Sequence, residues 1–481
     1  MERKVSDLLV IEFPDDEVTR QYEELESFVA EGNPGINRER LRAAYIFARK
    51  YHGEQLRNDG SPYITHPLAA AMIFAKDIML DEDALVACLL HDVIEDTEVT
   101  YKEVERIFGT QAADLVDGVT KLTRIVYTSK DEEQTENIRK TLLATAKDIR
   151  VMLIKLADRL HNLRTLDYKS IVKQRDKAAE TIEIYAPIAH RLGMQKIKWE
   201  LEDRSIKYLD PEAVEEIEKF LEEQSATLQE VMRKVREKIE EKLKEENIDA
   251  EVQNRLKHLY SIYRKMYSQN KGLREVHDLC AFRVIIDNGA DGKTSTTGDC
   301  YQVLGVLGTA FHPVPGKYKD YIANPKPNGY RSIHNTYIGK TGILFEIQIR
   351  TREMHTNAEY GVAAHWKYKK GGDDGVNAND ENQYAWIRDM LGRQEDLDPE
   401  QFKSELRAEL FADEVMVFTP KGMVVTLPSG ATPIDFAYRL HSDIGNHISG
   451  AKVNGRIVPI DSKLESGAVI EIMTSNATKG P

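Results

Sequence analysis

Two sets of residues in this chain have types and spacings that suit chemistry. The first is His91-Asp92, followed four residues on by Glu95-Asp96, with His66 upstream in Y-I-T-H-P and Asp158 downstream in L-A-D-R-L-H-N. On one continuous helix, i to i+4 spacing puts Asp92 beside Asp96 and His91 beside Glu95. Imidazole nitrogens and carboxylates together suit a divalent transition metal such as Mn, Fe or Zn. Such an ion lowers the pKa of a bound water and so supplies a nucleophile for phosphate-ester hydrolysis. Glu95 and Asp96 are then available for proton transfer or water positioning. On composition alone, His52 and His161 compete as ligands.

The second set centres on residues 316–336, G-K-Y-K-D-Y-I-A-N-P-K-P-N-G-Y-R-S-I-H-N-T. Lys317, Lys319, Lys326 and Arg331 stand here among two prolines, Asn328-Gly329, and the rings of Tyr330 and His334. The prolines and Asn-Gly predict a loop. Cations meet phosphates and a ring stacks on a base, so the stretch suits a nucleotide. Upstream, N-R-L-K-H-L-Y-S-I-Y-R-K offers Arg255, Lys257, Arg264 and Lys265 to a triphosphate. Asp278 in H-D-L-C-A-F-R and Glu346 in F-E-I-Q-I lie on strand-like segments. Two carboxylates from neighbouring strands can hold Mg²⁺ between nucleotide phosphates. Arg283 can neutralise charge on a transferred group.

Elements of different kinds must position these sets. Over residues 1–200, Ala43, Ile46 and Phe47, then Leu85, Cys88, Leu89 and Ile94, then Ile149, Leu153, Leu156 and Leu160 follow helical spacing, which predicts an all-α domain. Residues 201–250 read as connecting helices. Their apolar stripe is Ile217, Phe220, Leu221, Leu228, Val231, Met232, Val235 and Ile239, with the outer face solvated.

From about residue 251 to 370 the pattern is mixed α/β. Segments 281–286 and 342–349 read as strands. In the second, Leu344, Glu346 and Gln348 face one way and Ile343, Phe345, Ile347 and Ile349 the other. Residues 371–410 read as a polar linker, most evident over 371–383, and a helix. In 411–481, strands at 415–418 and 424–426 flank Pro420-Lys421-Gly422, a hairpin signal. A helix at 433–440 and strands at 451–453 and 468–473 then complete a small β-grasp unit.

The chain has 481 residues, 41 % hydrophobic and 30 % charged, with a net charge of −14, which argues against general coating of nucleic acid. No apolar run approaches the ~20 residues of a membrane helix. M-E-R-K-V-S-D at the N-terminus lacks the apolar core of a secretion signal. Cys88, Cys280 and Cys300 form no C-x-x-C pair, which points to a reducing cytoplasm.

The motifs R-N-D-G-S-P-Y-I-T-H-P, H-D-V-I-E-D-T, D-G-V-T-K-L, K-L-A-D-R-L-H-N-L-R-T and E-I-Y-A-P-I-A-H-R-L-G follow one another in the helical part. Further on come R-L-K-H-L-Y-S-I-Y-R-K-M, H-D-L-C-A-F-R, K-Y-K-D-Y-I-A-N-P-K-P-N-G-Y-R-S-I-H, E-I-Q-I-R-T and H-T-N-A-E-Y-G-V-A-A-H-W-K-Y-K, then F-T-P-K-G-M-V-V-T-L-P-S-G-A-T-P-I-D-F-A-Y-R-L-H. In this order they resemble the bifunctional Rel family (RelA/SpoT homologues), which make and destroy the alarmone (p)ppGpp. The resemblance implies an all-α HD phosphohydrolase domain, a mixed α/β nucleotidyltransferase-like synthetase domain and a small β-grasp TGS domain.

For the hydrolase, the resemblance implies a manganese site of His66, His91, Asp92 and Asp158, chosen over His52. Glu95 and Asp96 would assist the attacking water. Arg57 would stack on guanine, and Asn162 and Thr165 would contact the nucleotide. Asn58 departs from the basic residue often found beside that arginine.

For the synthetase, the resemblance implies transfer of the β,γ-pyrophosphate of ATP to the 3′-hydroxyl of GDP or GTP. Asp278 and Glu346 would serve Mg²⁺ and the hydroxyl, and Tyr330 would stack guanine with Asn328 nearby. Arg255, Lys257, Lys265 and Arg283 would surround ATP, with Lys319, Lys326, His334 and Gln348 completing the pocket. Lys317-Tyr-Lys-Asp320 falls where bifunctional members carry R-x-K-D, so lysine replaces arginine but keeps the charge. In the TGS unit His441 is a plausible contact to the 3′ end of deacylated tRNA on the ribosome. Long family members continue past this unit, so the chain is expected to be a truncated form.

Overall fold

The structure, a computed structural model, describes residues 4–120, 130–268, 280–288, 294–326, 328–339, 342–364, 401–402, 406, 414–420, 424–465 and 468–475. Expectations for Asp278, the 371–383 linker, most of the helix near 384–409 and the Lys421-Gly422 turn lie outside these residues. Residues 1–400 form one unit and 401–481 another.

The first unit opens on helices. In helix Glu82–Leu90, Asp81 caps the N-terminus by accepting from Ala84 N, and Ala84 through Leu90 are all buried. Helix Arg150–Arg164 buries ten of its side chains. Arg150 Nη1 donates to Asp81 at 2.9 Å, tying the two helices together. A helix continuing past His91 was the condition for the i to i+4 pairing of His91 and Asp92 with Glu95 and Asp96. Instead it ends at Leu90, His91 and Asp92 make a turn, and a short helix Val93–Asp96 follows with Asp92 as its N-cap residue. Aspartate favours such boundaries over helix interiors. Before residue 210 the described residues hold helices and one isolated bridge, Leu56 with Pro62.

The sheet strands are β1 (Asp249–Leu256), β2 (Cys280–Asn288), β3 (His312–Pro313), β4 (Lys319–Asp320), β5 (Ile333–Ile338) and β6 (Leu344–Thr351). Their order is β1-β2-β6-β5-β3, with β4 also on β5. Only β2 and β6 among these pairs run parallel. The 316–336 stretch is therefore not all loop, since it carries β4 and the start of β5. Pairing to β6 makes a strand there that local composition does not announce. The basic segment 254–265 divides likewise: Arg255 ends a strand, and Arg264 and Lys265 lie on helix Leu259–Ser268.

Alternation sorts the sheet into two faces. Phe282, Val284, Ile286, Phe345, Ile347 and Ile349 share a buried core with Leu228, Val231, Met232, Val235 and Ile239 of helix Pro211–Glu245. The second half of that helix is thus part of the sheet's core as well as a connector. The other face carries Arg283, Gln348 and His334 in one cross-strand row.

In the second unit, β7 (Glu414–Phe418) and β8 (Val424–Pro428) pair as a hairpin. Helix Pro433–Leu440 follows, then β9 (Ile448–Val453), β10 (Arg456–Val458) and β11 (Ile470–Thr474) in the order β10-β9-β11. Val417, Leu427, Phe436, Leu464 and Ile470 form its core. Among the described residues no helix is long and apolar enough to cross a membrane.

Candidate functional site

The helix break at His91 builds the first site. It puts His91 Nε2 3.2 Å from His66 Nε2, on helix Thr65–Ile73, and 3.2 Å from Asp92 Oδ2. His66 Nε2 stands 3.5 Å from Asp92 Oδ2 and 3.3 Å from Asp158 Oδ1. Donor atoms of His66, His91 and Asp92 all lie within 4.8 Å of one another. Asp158 borders this group, held by Lys155 Nζ at 2.9 Å and by Asn162 Nδ2 at 2.5 Å.

The outer ring nitrogens of both histidines are engaged. His91 Nδ1 is 2.7 Å from the Cys88 carbonyl, and His66 Nδ1 is 2.6 Å from His161 Nδ1. Such outer bonds fix the orientation of ligating imidazoles. Burial opposes charge on His91, but Asp92 and Asp158 outweigh it and push its pKa up to about 9. The cluster's two imidazoles and flanking carboxylates fit a divalent transition metal.

His52 and His161 stand outside the cluster. His52 is buried, bonds Gln55 at 2.9 Å through Nδ1 and stacks on Tyr63. His161 Nδ1 lies 3.2 Å from Arg57 Nη1, which can only donate, so His161 accepts. Burial and the neighbouring His66 and Arg57 push its pKa down to about 3. Arg57 Nη2 also donates to Thr165 Oγ1 at 2.9 Å, so Arg57 and Thr165 meet while Asn162 turns to Asp158. Asn58 is exposed. Glu95 is half-buried and Asp96 exposed. The Tyr63 hydroxyl, which sequence reasoning passed over, lies 2.7 Å from both Asp92 Oδ2 and Asp96 Oδ2. Its only signal was its place three residues before His66.

The polar face of the sheet forms the second site, a cavity of about 330 Å³. Arg255, Lys257, Arg283, Lys319, Lys326, Asn328, Tyr330, His334, Glu346 and Gln348 line it together. Lys265, expected beside ATP, is not among the lining residues; it sits on the last turn of its helix. Lys317 is exposed, while Asp320 accepts from Ile322 N, Ala323 N and the Tyr301 and Tyr318 hydroxyls, fixing the turn after β4.

One network orders the middle of the cavity. His334 Nδ1 is 3.2 Å from Glu346 Oε1, and Gln348 Nε2 donates to the same oxygen at 2.8 Å. Burial would raise the Glu346 pKa, yet His334, Gln348 and Lys257 outweigh it and hold it at about 2. Burial also disfavours charge on His334. A neutral His334 thus donates through Nδ1 and accepts from the Tyr330 hydroxyl, 2.7 Å away, through Nε2.

The helical part of the chain also supplies a wall that the sequence did not reveal: His190, Gln195 and Trp199. The Arg255 guanidinium lies 3.5 Å over the Trp199 ring. Its Nη2 bonds His258 Nε2, whose other nitrogen faces Asp203 at 3.3 Å. Arg350 and Glu359 are further lining residues that were missed. Arg350 continues the alternation of Glu346 and Gln348 by one more step, which was the available signal.

Residues 44–195 match the HD domain model, 254–373 the model of the region found in RelA / SpoT proteins, and 415–474 the TGS domain model. The chain is 47 % identical over 445 residues to a guanosine-3′,5′-bis(diphosphate) 3′-pyrophosphohydrolase of Aquifex aeolicus, covering 92 % of this chain and 62 % of that one. It is 46 % identical to a probable enzyme of the same name from Synechocystis sp., covering 90 % of this chain and 56 % of that one. A GTP pyrophosphokinase of Myxococcus xanthus is also 46 % identical, covering 93 % of this chain and 58 % of that one. The chain therefore spans little more than half the length of these relatives. With three matching domains in order and such relatives along nearly all of its length, the chain belongs to the RelA/SpoT family.

Proposed function

We propose that the chain is a bifunctional alarmone enzyme of the stringent response. It transfers pyrophosphate from ATP to the 3′-hydroxyl of GDP or GTP at the sheet cavity, and hydrolyses (p)ppGpp to GDP or GTP plus pyrophosphate at the His/Asp cluster. The observation that carries this reading is the presence in one chain of two separate clusters of reactive and charged side chains, His66-His91-Asp92 and the Tyr330–His334–Glu346 cavity.

At the first site, His66, His91, Asp92 and Asp158 would hold manganese, which would supply Lewis acidity at the 3′-diphosphate. Glu95 and Asp96 orient the attacking water and take its proton. Tyr63 pins Asp92 and Asp96, and Arg57, Asn162 and Thr165 hold the nucleoside. At the second site Tyr330 stacks the acceptor guanine with Asn328. Glu346 and Asp278 would hold Mg²⁺ and serve the attacking hydroxyl. Arg255, Lys257, Arg283, Lys319 and Lys326 hold phosphates, with His334 and Gln348 orienting Glu346.

Two opposed activities running together would waste ATP, so we read the sites as reciprocally coupled. The contacts that support coupling are Asn328 Nδ2 donating to the His190 carbonyl at 2.9 Å and Val362 N donating to Leu192 O at 3.0 Å. Coupling of binding is reciprocal by necessity. The buried, unpaired cysteines accord with a cytoplasmic protein. His441, whose side chain is 67 % exposed, is free to meet deacylated tRNA on the ribosome.

The test is direct. The protein is incubated with ATP, GDP and Mg²⁺, and separately with ppGpp and Mn²⁺. Asp278→Gly should abolish only synthesis and Asp92→Ala only hydrolysis. Loss of both activities in either variant would sink the two-site reading, and absence of both in the parent would leave a nucleotide-binding sensor.

A further inference from the structure

The sheet cavity holds a charge to which the described residues offer no hydrogen bond. Arg350 is 1 % exposed, yet it lines the cavity. Its Nε, Nη1 and Nη2 have no hydrogen-bond partner among the described residues. Among those residues, the carboxylate within reach as an ion partner is Glu359, whose Oε1 stands 3.8 Å from Nη2, too far for a hydrogen bond. Arg283 Nη1 lies nearer to that oxygen, at 3.0 Å, as an ion pair, although among the described residues the oxygen accepts no hydrogen bond. Arg283 is itself 7 % exposed and its Nε is also without a partner.

Buried charges are ordinarily paired and hydrogen-bonded, because leaving one unanswered is costly. Here two buried guanidiniums share one carboxylate, in a cavity whose wall already carries Arg255, Lys257, Lys319 and Lys326. Glu346 does not restore the balance. It lies four residues back on β6, about 13 Å along the strand, and is bonded to His334 and Gln348. The Tyr330 ring is 5.9 Å from the Arg350 guanidinium, and Glu359, which Arg283 also faces, is 3.8 Å from its Nη2. Arg350 thus neighbours both Tyr330 and the Arg283–Glu359 pair.

We infer that Arg350 is a phosphate-binding residue of this cavity, its planar fork taking two oxygens of a nucleotide's phosphate beside Tyr330 and Arg283. A guanidinium matches that geometry bidentately. Burial, with Arg283 beside it, pushes the Arg350 pKa down to about 10, so it keeps its charge at neutral pH. The inference deepens the synthetase reading and rests on it for the identity of the ligand as a nucleotide.

Inorganic pyrophosphate with Mg²⁺ is the probe, read by thermal shift and titration calorimetry on the intact chain, with ATP and GDP as further arms. Arg350→Met removes the charge and keeps the bulk. Without ligand it should melt at or above the parent's temperature, because an unanswered buried charge is gone. Its apparent Kd for pyrophosphate should rise at least tenfold, and Arg350→Lys should fall between. The ATP and GDP arms report whose phosphate is held. A lower melting temperature in Arg350→Met with pyrophosphate affinity unchanged would overturn the inference and make Arg350 a structural pillar. Should Arg350→Met fail to fold, Arg350→Lys with parental pyrophosphate affinity would overturn it equally. Arg350-dependent pyrophosphate binding in a protein that makes no (p)ppGpp would uphold the inference while the synthetase reading fell.

Discussion

Gly361 and Gly193 pack backbone against backbone: a Cβ on Gly361 would stand 2.9 Å from Gly193 Cα and 1.9 Å from the Leu192 carbonyl oxygen. Both glycines hold positive φ, +56° and +75°. Here the turn after helix Ala186–Arg191 meets the end of helix Arg352–Tyr360. Gly361→Ala adds a clash with backbone that cannot swing aside to a left-handed strain. Its expected cost is about 2–4 kcal/mol in urea unfolding. Synthesis should suffer with it, since the neighbouring Asn328–His190 contact belongs to the same seam. A variant as stable as the parent would show that the seam opens freely.

Tyr63 makes a second prediction. Its hydroxyl stands between Asp92 and Asp96, and burial with those two carboxylates raises its pKa, so it remains a donor. Tyr63→Phe keeps the ring stacked on His52 and removes only the bond. Outer-shell losses of this kind weaken metal affinity or activity about 10- to 100-fold. Hydrolysis and manganese affinity should fall by that range while synthesis stays at the parental rate. Unchanged manganese affinity and hydrolysis would leave Tyr63 with no role in holding the carboxylates.

Glu180 carries a pH prediction. Arg159 Nη2 and Lys177 Nζ each lie 2.9 Å from its carboxylate, and the Arg159 and Glu180 side chains are 8 % and 11 % exposed. Burial works against its charge, but Arg159 and Lys177 outweigh that and lower the pKa from 4.5 to about 2. A depressed carboxyl gives stability that is complete above the unfolded value and lost as pH falls through the folded one. Glu180→Gln strands Arg159 and should cost about 3–5 kcal/mol at pH 7. The gap between parent and variant should narrow from pH 4.5 downward and close near pH 2. Chemical unfolding at several pH values checks this, and a gap that ignored pH would rule out the ion pair as its source.

These residues differ in how far the sequence announced them. Glu346 and Gln348 were legible because side chains alternate along a strand, and Arg350 obeys the same rule one step further. The preference for His66 over His52 came from the order of motifs, since both spacings suit a ligand. The fold separates them by aiming His66 Nε2 at His91 and His52 at Gln55. The break at His91 was hidden because helical spacing of Leu85, Cys88 and Leu89 says nothing about where a helix stops. Strand β5 and the packing of the 228–239 stripe on the sheet depend on partners distant in sequence, so no local window contains the reason for them.

Trp199 is the extreme case, and it gives the last prediction. Nothing near it in sequence marks a nucleotide site, yet its ring underlies the Arg255 guanidinium at 3.5 Å and stacks on His258 at 4.3 Å. One turn along the same helix, Asp203 faces His258 Nδ1, so the helix Gln195–Leu209 grips Arg255 twice. Burial, with Arg283 nearby, pushes the Arg255 pKa down to about 10, so the arginine remains a cation over the ring. A cation over an indole is worth about 0.5–2 kcal/mol, equivalent to about 2- to 30-fold in affinity. Trp199→Ala frees Arg255 without touching the phosphates, so KM for ATP should rise within that range while kcat changes little. Trp199→Phe should recover part of the loss, because a smaller aromatic face still attracts the guanidinium. A parental KM in Trp199→Ala would mean that Arg255 is positioned by the sheet alone, and that this helix merely covers the cavity.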